Sequence, residues 1–375
     1  PLSLLPSIDC NDLLYIQETS FDAVDTEVTV NIRNMHWTTT GLWLQPNTIG
    51  SICITTPIDE PIFIQIGSHS QNLFELKDEW KRWPFPIITT QATPQSEIQL
   101  KSPFGGIVYI TWINSDVDIQ TKEITFQAKG MSIYPRYSYK DQNVLSNTKD
   151  SSIPWAEIET EYINFTLPTL YFKKINDFSL FNDINKNITN VCNNISMLLS
   201  SNELKQHQAR IVFDVQLIEN KSVAGYPIFD LVSNVDSILI ESFQKQPTVE
   251  LLNIFCIYSL LFIKEGVFDN DKEMLFAQFI AITALKTVFA KFNIKTFQPL
   301  DHFLDILLKI NAKFADSVMK SYQNVVNEPV SDLDANWIQF LTDLSKREKR
   351  NFFPIFDLAD RATKEIKKFG VFDAK

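Results

Sequence analysis

The sequence predicts a multi-domain α+β protein: an N-terminal β-sandwich over residues 1–150, then a mixed α/β region over 151–375 that closes in a helical bundle from about residue 248. Three observations carry this expectation. Apolar and polar residues alternate in short runs through the first 150 positions, a polar stretch without periodicity follows, and the last third repeats apolar residues at three- and four-residue spacing.

In the first region Val28, Val30 and Ile32 alternate with polar neighbours, as do Ile62, Ile64 and Ile66, and then Ile98 and Leu100. Ile107 to Trp112 is a continuous apolar strand, and Ile124 with Phe126 opens another. Gly41, Pro46-Asn47, Gly67, Pro84 to Pro86, Gly105-Gly106 and Gly130 punctuate these runs as turns. Short strands at this spacing suit two packed sheets. Asp141 to Ser152 is the polar connection. Beyond it Ile211, Phe213, Val215 and Leu217 alternate as a strand. Leu275, Phe279, Ile282, Leu285, Phe289 and Phe292 then set one apolar stripe on a long helix. Phe303, Leu307, Ile310, Phe314 and Val318 set another, with Asp301 as its N-cap.

Composition excludes several functions. A formal charge of −11 opposes wholesale nucleic-acid binding, and the basic run Lys346 to Arg350 carries Glu348 in its middle, so it reads as a solvated helix face. Cys10, Cys53, Cys192 and Cys256 show no zinc-site spacing; their even number permits disulfides without arguing for them. The start at Pro1 rather than Met fits a processed or trimmed terminus. The longest apolar run, Leu251 to Ile263, is broken by Asn253 and Ser259 and falls short of the roughly 20 residues a bilayer requires, so no transmembrane segment is expected. No phosphate-binding glycine loop and no nucleophile elbow occur. Asn164, Asn187, Asn194 and Asn220 open glycosylation sequons, at a frequency an Asn-rich chain reaches by chance.

Several segments in order resemble one family. Thr40-Gly41-Leu42-Trp43, Ile66 to His69, Trp80 to Pro84, Ser102 to Ile110 (SPFGGIVYI), Pro154 to Glu157 (PWAE), Arg210 to Gln216, Ala224 to Ile228 (AGYPI), and Trp337 with Asn351 to Phe356 are similar to motifs of the M60-like, enhancin-type metallopeptidases. The resemblance implies a gluzincin-like mixed region and a zinc ion held by HExxH, whose two imidazoles share a helical face while the intervening Glu activates water. A Glu further along completes the ligand set in the family. Among His36, His69, His207 and His302, no two stand four apart and none precedes Glu. Where the family carries its histidine-bearing insert after the AGYPI-like segment, this chain runs from Phe229 to Pro247 and resumes the pattern at Thr248. Alignment on Asn253-Ile254 puts Val249, beside Glu250, at the third ligand. No metal ligand, catalytic residue or cofactor is therefore assigned, and the gluzincin-like region is read as degenerate.

Other constellations are weaker. Asp214 with Glu157 or Glu159 could form a glycosidase acid–base pair, although capping or surface roles explain them more simply. Cys256 reads as a small core residue. Trp37, Trp43, Trp80 and Trp83 cluster in the β region, and Trp80, Lys81, Arg82 and Trp83 form the candidate recognition surface. The expected function is that of a catalytically inactive pseudopeptidase acting as a binding or structural assembly protein. One alternative is a glycoprotein recognition module that keeps the family's binding without cleavage, and another is a hydrolase with a replacement site. A protein or glycoprotein partner, or self-assembly, follows, with a secreted, extracellular or virion-associated setting.

Overall fold

The computed structural model describes residues 22–113, 121–140, 143–144, 151–175, 178–200, 208–219, 221–292 and 312–371. Cys10, His207, Asn220, Asp301, His302, Phe303, Leu307, Ile310 and most of the polar connection 141–152 lie outside the described residues. Chain contacts divide the molecule into two units, Pro1–Asn185 with Gln208–Asp236 and Lys186–His207 with Ser237–Lys375.

The first unit holds two sheets. The larger, antiparallel throughout, is built from β1 (Val24–Arg33), β2 (Trp37–Leu44), β3 (Ile49–Ile54), β4 (Ile62–Ile66), β5 (Ile88–Ala92), β6 (Glu97–Lys101), β7 (Gly106–Trp112) and β8 (Thr121–Ile133). Its order is β5-β4-β7-β2-β8-β3-β6, with β1 also on β8. The long β8 pairs with β1 and β3 over most of its length and reaches β2 only at Ser132 and Ile133, just past Gly130 at φ +67°. One strand therefore serves two layers, and the sheet wraps on itself in a sandwich-like form. The apolar members of the alternating runs (Ile32, Ile62, Ile64, Leu100, Ile124 and Phe126 among them) share a single core. The continuous run of β7 has a separate cause. Val108, Ile110 and Trp112 face that core, whereas Ile107 and Tyr109 join Trp43, Tyr134, Ile153 and Trp155 in a second cluster.

The smaller sheet comprises β9 (Arg136–Ser138), β10 (Asn143–Val144), β11 (Trp155–Glu159), β12 (Ile163–Pro168), β13 (Ala209–Asp214) and β14 (Ile228–Leu231), in the order β10-β9-β11-β12-β13-β14. β12, β13 and β14 run parallel. Alternation suggested a strand through Leu217, but β13 ends at Asp214 and is buried on both faces, as an interior parallel strand is.

Among the helices, α1 (Thr169–Phe172) lies in the first unit and α2 (Phe178–Leu199) straddles the division. The second unit continues with α3 (Ser242–Gln244), α4 (Val249–Leu260), α5 (Asn270–Val288), α6 (Ala312–Asn327) and α7 (Leu333–Glu348). Thr248, Asp269 and Asp332 cap α4, α5 and α7 through side-chain oxygens. α4 packs on α5 and α6 on α7. The predicted stripe Leu275, Phe279, Ile282 and Leu285 is buried on α5, but Phe276, Ala277, Ile280, Ala281 and Ala284 are buried too. The helix is thus enclosed on more than one face, and Phe289 and Phe292 follow its end. Phe314 and Val318 are buried on α6. Lys346 and Arg347 stand exposed on the last turn of α7, where basic charge complements the helix dipole. Among the described residues no helix is long and apolar enough to cross a membrane.

At one point two backbones approach too closely for any side chain. Gly106 has φ +147°, and a Cβ on it would lie 2.6 Å from the Gly67 nitrogen, whose N–H donates to Ile107 O at 2.9 Å. Gly106→Ala is expected to lower the unfolding free energy by about 2 kcal/mol or more, read as an earlier urea midpoint at unchanged slope.

Candidate functional site

The stretch where the resemblance would place a catalytic helix follows a different course. From β14 the chain makes a 3-10 turn at Val232–Asn234 and a π-helical turn at Asp236–Glu241, then α3, and enters α4 behind the Thr248 cap. Val249 is 41% exposed and offers no donor atom. The four carboxylates of residues 229–252 are all engaged. Asp230 accepts from Ser222, Asn234 and its neighbour's amide, and Asp236 pairs with Lys174 at 2.6 Å. Glu241 faces Lys245 at 3.7 Å, and Glu250 accepts from Ser237 Oγ at 2.6 Å. With no histidine in the stretch, these residues do not fit a zinc ion. Among the described residues no three His, Cys, Asp or Glu side chains converge elsewhere.

The dominant polar centre lies in the smaller sheet. Glu157 on β11 and Arg210 on β13 form an ion pair, each side chain 1% exposed. Glu157 also accepts from Tyr134 (2.6 Å), Tyr109 (2.9 Å), Thr39 (2.9 Å) and Thr166 (3.0 Å). Arg210 donates to Trp37 O and Thr39 Oγ1, and its guanidinium lies 4.6 Å from the centroid of the Tyr109 ring. Burial pushes the Glu157 carboxyl up, but the Arg210 charge and the hydroxyl donors outweigh it and hold the group below its usual range. Burial, and next to it the Glu157 charge, drives the Tyr109 and Tyr134 phenols well above theirs. Glu157 is consequently a fixed anion with its lone pairs occupied, unsuited to moving protons.

A second buried pair explains the tryptophan loop. Arg82 donates through Nε to both oxygens of Asp214, at 2.8 and 2.9 Å, and through its other nitrogens to the carbonyls of Gln71, Trp83 and Pro84. Arg82 therefore points inward and is no part of the expected surface. Trp83 is half-buried against Phe104, whereas Lys81 and Trp80 are exposed. His69, fully buried, stacks obliquely on Trp155 and donates Nε2–H to Phe213 O at 3.2 Å. Burial pulls its imidazole down to about 4, with Asp214 opposing and Arg82 assisting. Glu159, third of the suggested acid–base carboxylates, accepts from Ser138 and Lys140. The carboxylates expected to cap or face solvent are instead buried partners of cations. Cys256 is buried in α4, and burial raises its thiol to about 12, leaving it unreactive.

The first unit also contains an open groove of about 520 Å³, where the ends of β1 and β2 meet the ends of β9, β11 and β12. Arg33, Arg136, Lys140 and Glu159 line it, with Trp37, Tyr226 and His36 along one wall. The Tyr226 hydroxyl accepts from Trp37 N at 3.0 Å, and its ring meets those of Trp37 and His36 edge-on. Sequence reasoning missed both this groove and the role of Arg210. The one available signal was a charge inside an apolar strand: Arg210 opens Ile211-Val212-Phe213, and Glu157 sits between Trp155 and Ile158.

Two outcomes follow from these pairs. As pH falls, unfolded His69 takes up a proton through 6.5 while the folded imidazole resists until about 4. Its contribution is fully present above pH 6.5 and is lost between 6.5 and about 4, some 3 kcal/mol in all. Urea midpoints measured across that window should fall, and His69→Gln should flatten the decline. Separately, Glu157→Gln leaves a buried guanidinium uncompensated and should cost about 3–5 kcal/mol in chemical denaturation, whereas adding Arg210→Met should restore part of the loss.

A family model for the N-terminal domain of M60-like peptidases matches residues 20–127. TRPM8 channel-associated factor 3 of Mus musculus is 24% identical over 209 residues, which cover 55% of this chain and 22% of that protein, so the chain spans less than a quarter of this relative. Among solved structures, IMPa from Pseudomonas aeruginosa in complex with an O-glycopeptide aligns with a TM-score of 0.63 at 12% identity, covering 94% of this chain and 52% of that one. The ZmpB metallopeptidase from Clostridium perfringens aligns with a TM-score of 0.60 at 12% identity, covering 93% and 80%. At such identities the likeness is one of fold. Residues 20–127 thus match the N-terminal domain of M60-like peptidases, and the fold as a whole is like that of IMPa and ZmpB.

Proposed function

We propose that the chain is a catalytically inactive M60-like protein that works by binding a protein or glycoprotein partner. One observation carries the reading: residues 229–252 contain no histidine, and all four of their carboxylates are already held by other side chains or backbone. Metal-assisted hydrolysis on this scaffold needs two imidazoles on one helical face, and this stretch supplies neither. The finer fold reading that accompanies this is a degenerate gluzincin-like region after residue 150, ended by a helical bundle.

The contact surface we assign is the loop that carries Trp80 and Lys81. Phe74, Trp80 and Phe85 are 61%, 41% and 43% exposed, and Phe74 meets Trp80 edge-on at 5.9 Å. Large aromatic rings on a loop tied down by the buried Arg82–Asp214 pair are preorganised anchors for a partner. The channel association named for the mouse relative supports a protein partner, and a second copy of this chain is the competing occupant. A second reading, glycoprotein recognition without cleavage, draws support from the O-glycopeptide bound by IMPa.

Metal analysis after zinc loading and dialysis, combined with mucin and casein digestion, tests the central claim. Less than a tenth of an equivalent of zinc and no cleavage are expected, on the order of the background for a chain without a closed site. Stoichiometric zinc or reproducible cleavage would overturn it in favour of a replacement active site.

A further inference from the structure

We propose that the first unit pairs with a second copy of this chain through β5, an edge of the larger sheet. The two β5 strands run antiparallel about a two-fold axis at Thr90. This contact goes beyond the partner reading above and uses a different surface, so it stands whether or not the loop carrying Trp80 is occupied.

The hydrogen-bond pattern identifies the backbone groups that the edge leaves open. At the two ends of β4, Gly67 N donates to Ile107 O at 2.9 Å and Ile113 N donates to Pro61 O at 3.1 Å. Bonds along an antiparallel ladder alternate from one side of a strand to the other. Phe63 and Gln65 therefore also turn their backbone groups to β7, and Ile62, Ile64 and Ile66 turn theirs to β5. The β5 residues opposite those three are Ala92, Thr90 and Ile88. Thr89 and Gln91 are left directing N–H and C=O away from the sheet. Both are exposed, and among the described residues no backbone bonds to that side of β5.

Two other edges are protected. β6, at the far end of the same sheet, carries Glu97 and Lys101, and charge on an edge discourages added strands. β14 is covered by Val223, which exchanges backbone bonds with Phe229. β5 reads Ile-Thr-Thr-Gln-Ala, without charge, proline or bulge.

A second copy suits this edge because the strand is matched to itself. One antiparallel register sets all 5 residues of β5 against all those of its copy, and its axis falls on Thr90. Thr89 then exchanges both backbone bonds with Gln91 of the second copy, and the symmetry repeats the exchange. Thr90 meets its own copy, a favourable cross-strand pair, and Ile88 meets Ala92 on the face that Ala92 shares with the core. No like charges oppose one another in this register. Pro86 and Pro94 lie at equal distances on either side of Thr90. Proline donates nothing to a ladder, so the pairing is confined to the stretch between them.

Sedimentation equilibrium from about 1 μM to about 1 mM tests the contact. The mass is expected to rise with concentration from 43.2 kDa toward twice that value, because so short a contact makes a weak, reversible dimer. Gln91→Pro removes an outward amide and no bond to β4, and should weaken dimerisation by about tenfold or more. Thermal unfolding reports whether that variant folds. Two charge variants at exposed positions test the register independently of it. Thr89→Lys with Gln91→Lys sets like charges opposite one another and should give a monomer. Thr89→Lys with Gln91→Glu sets opposite charges there and should dimerise at least as tightly as the parent. A monomer at every concentration would overturn the proposal and leave the edge to an extended segment of another protein. A dimer indifferent to both charge variants would overturn it equally, by placing the contact elsewhere.

Discussion

The Glu157–Arg210 pair is the constraint on which the first unit depends. Its ligands come from both sheets: Thr39 from β2 and Tyr109 from β7 on one side, Thr166 from β12 and the pair's own strands on the other. Tyr134, just after β8, completes the set. Two charges removed from water at this depth are tolerable only because nearly every lone pair and N–H has a partner. That requirement prescribes a single mutual placement of the two sheets. Apolar packing alone is less directional and would accept several.

The same centre governs what lies above it. Arg210 holds the backbone of Trp37, Trp37 holds the hydroxyl of Tyr226, and together these fix the aromatic wall of the groove. On the other side of β13, Asp214 holds Arg82, which gathers three carbonyls of the tryptophan loop and leaves Trp80 facing outward. Both surface features therefore hang from charges buried at the two ends of one strand.

Much of the larger sheet was legible because period-two alternation reports directly on a half-buried strand. Val28 to Ile32, Ile62 to Ile66 and Ile124 with Phe126 fall in β1, β4 and β8 for that reason. The limits were equally physical. β13 is buried on both faces, so alternation misjudged where it ends. Apolar residues cover α5 on more than one side, so a single stripe understated its burial. Arg82 looked like surface because arginine usually is, and nothing local to Trp80-Lys81-Arg82-Trp83 announces an aspartate 132 positions away. The groove was invisible for the same reason: Arg33, Arg136 and Tyr226 belong to three separate segments.

What the sequence determined by itself is the likeness to M60-like peptidases, the strand-rich character of the first region and the absence of two histidines at helical spacing, because each is a local pattern of residue types. Tertiary structure alone decided which charges are buried, which tryptophan meets solvent, and that cationic side chains from distant segments line one groove. Those properties are sums over neighbours far apart in the chain. Desolvation and Coulomb energy depend on distance in space, which residue order does not encode.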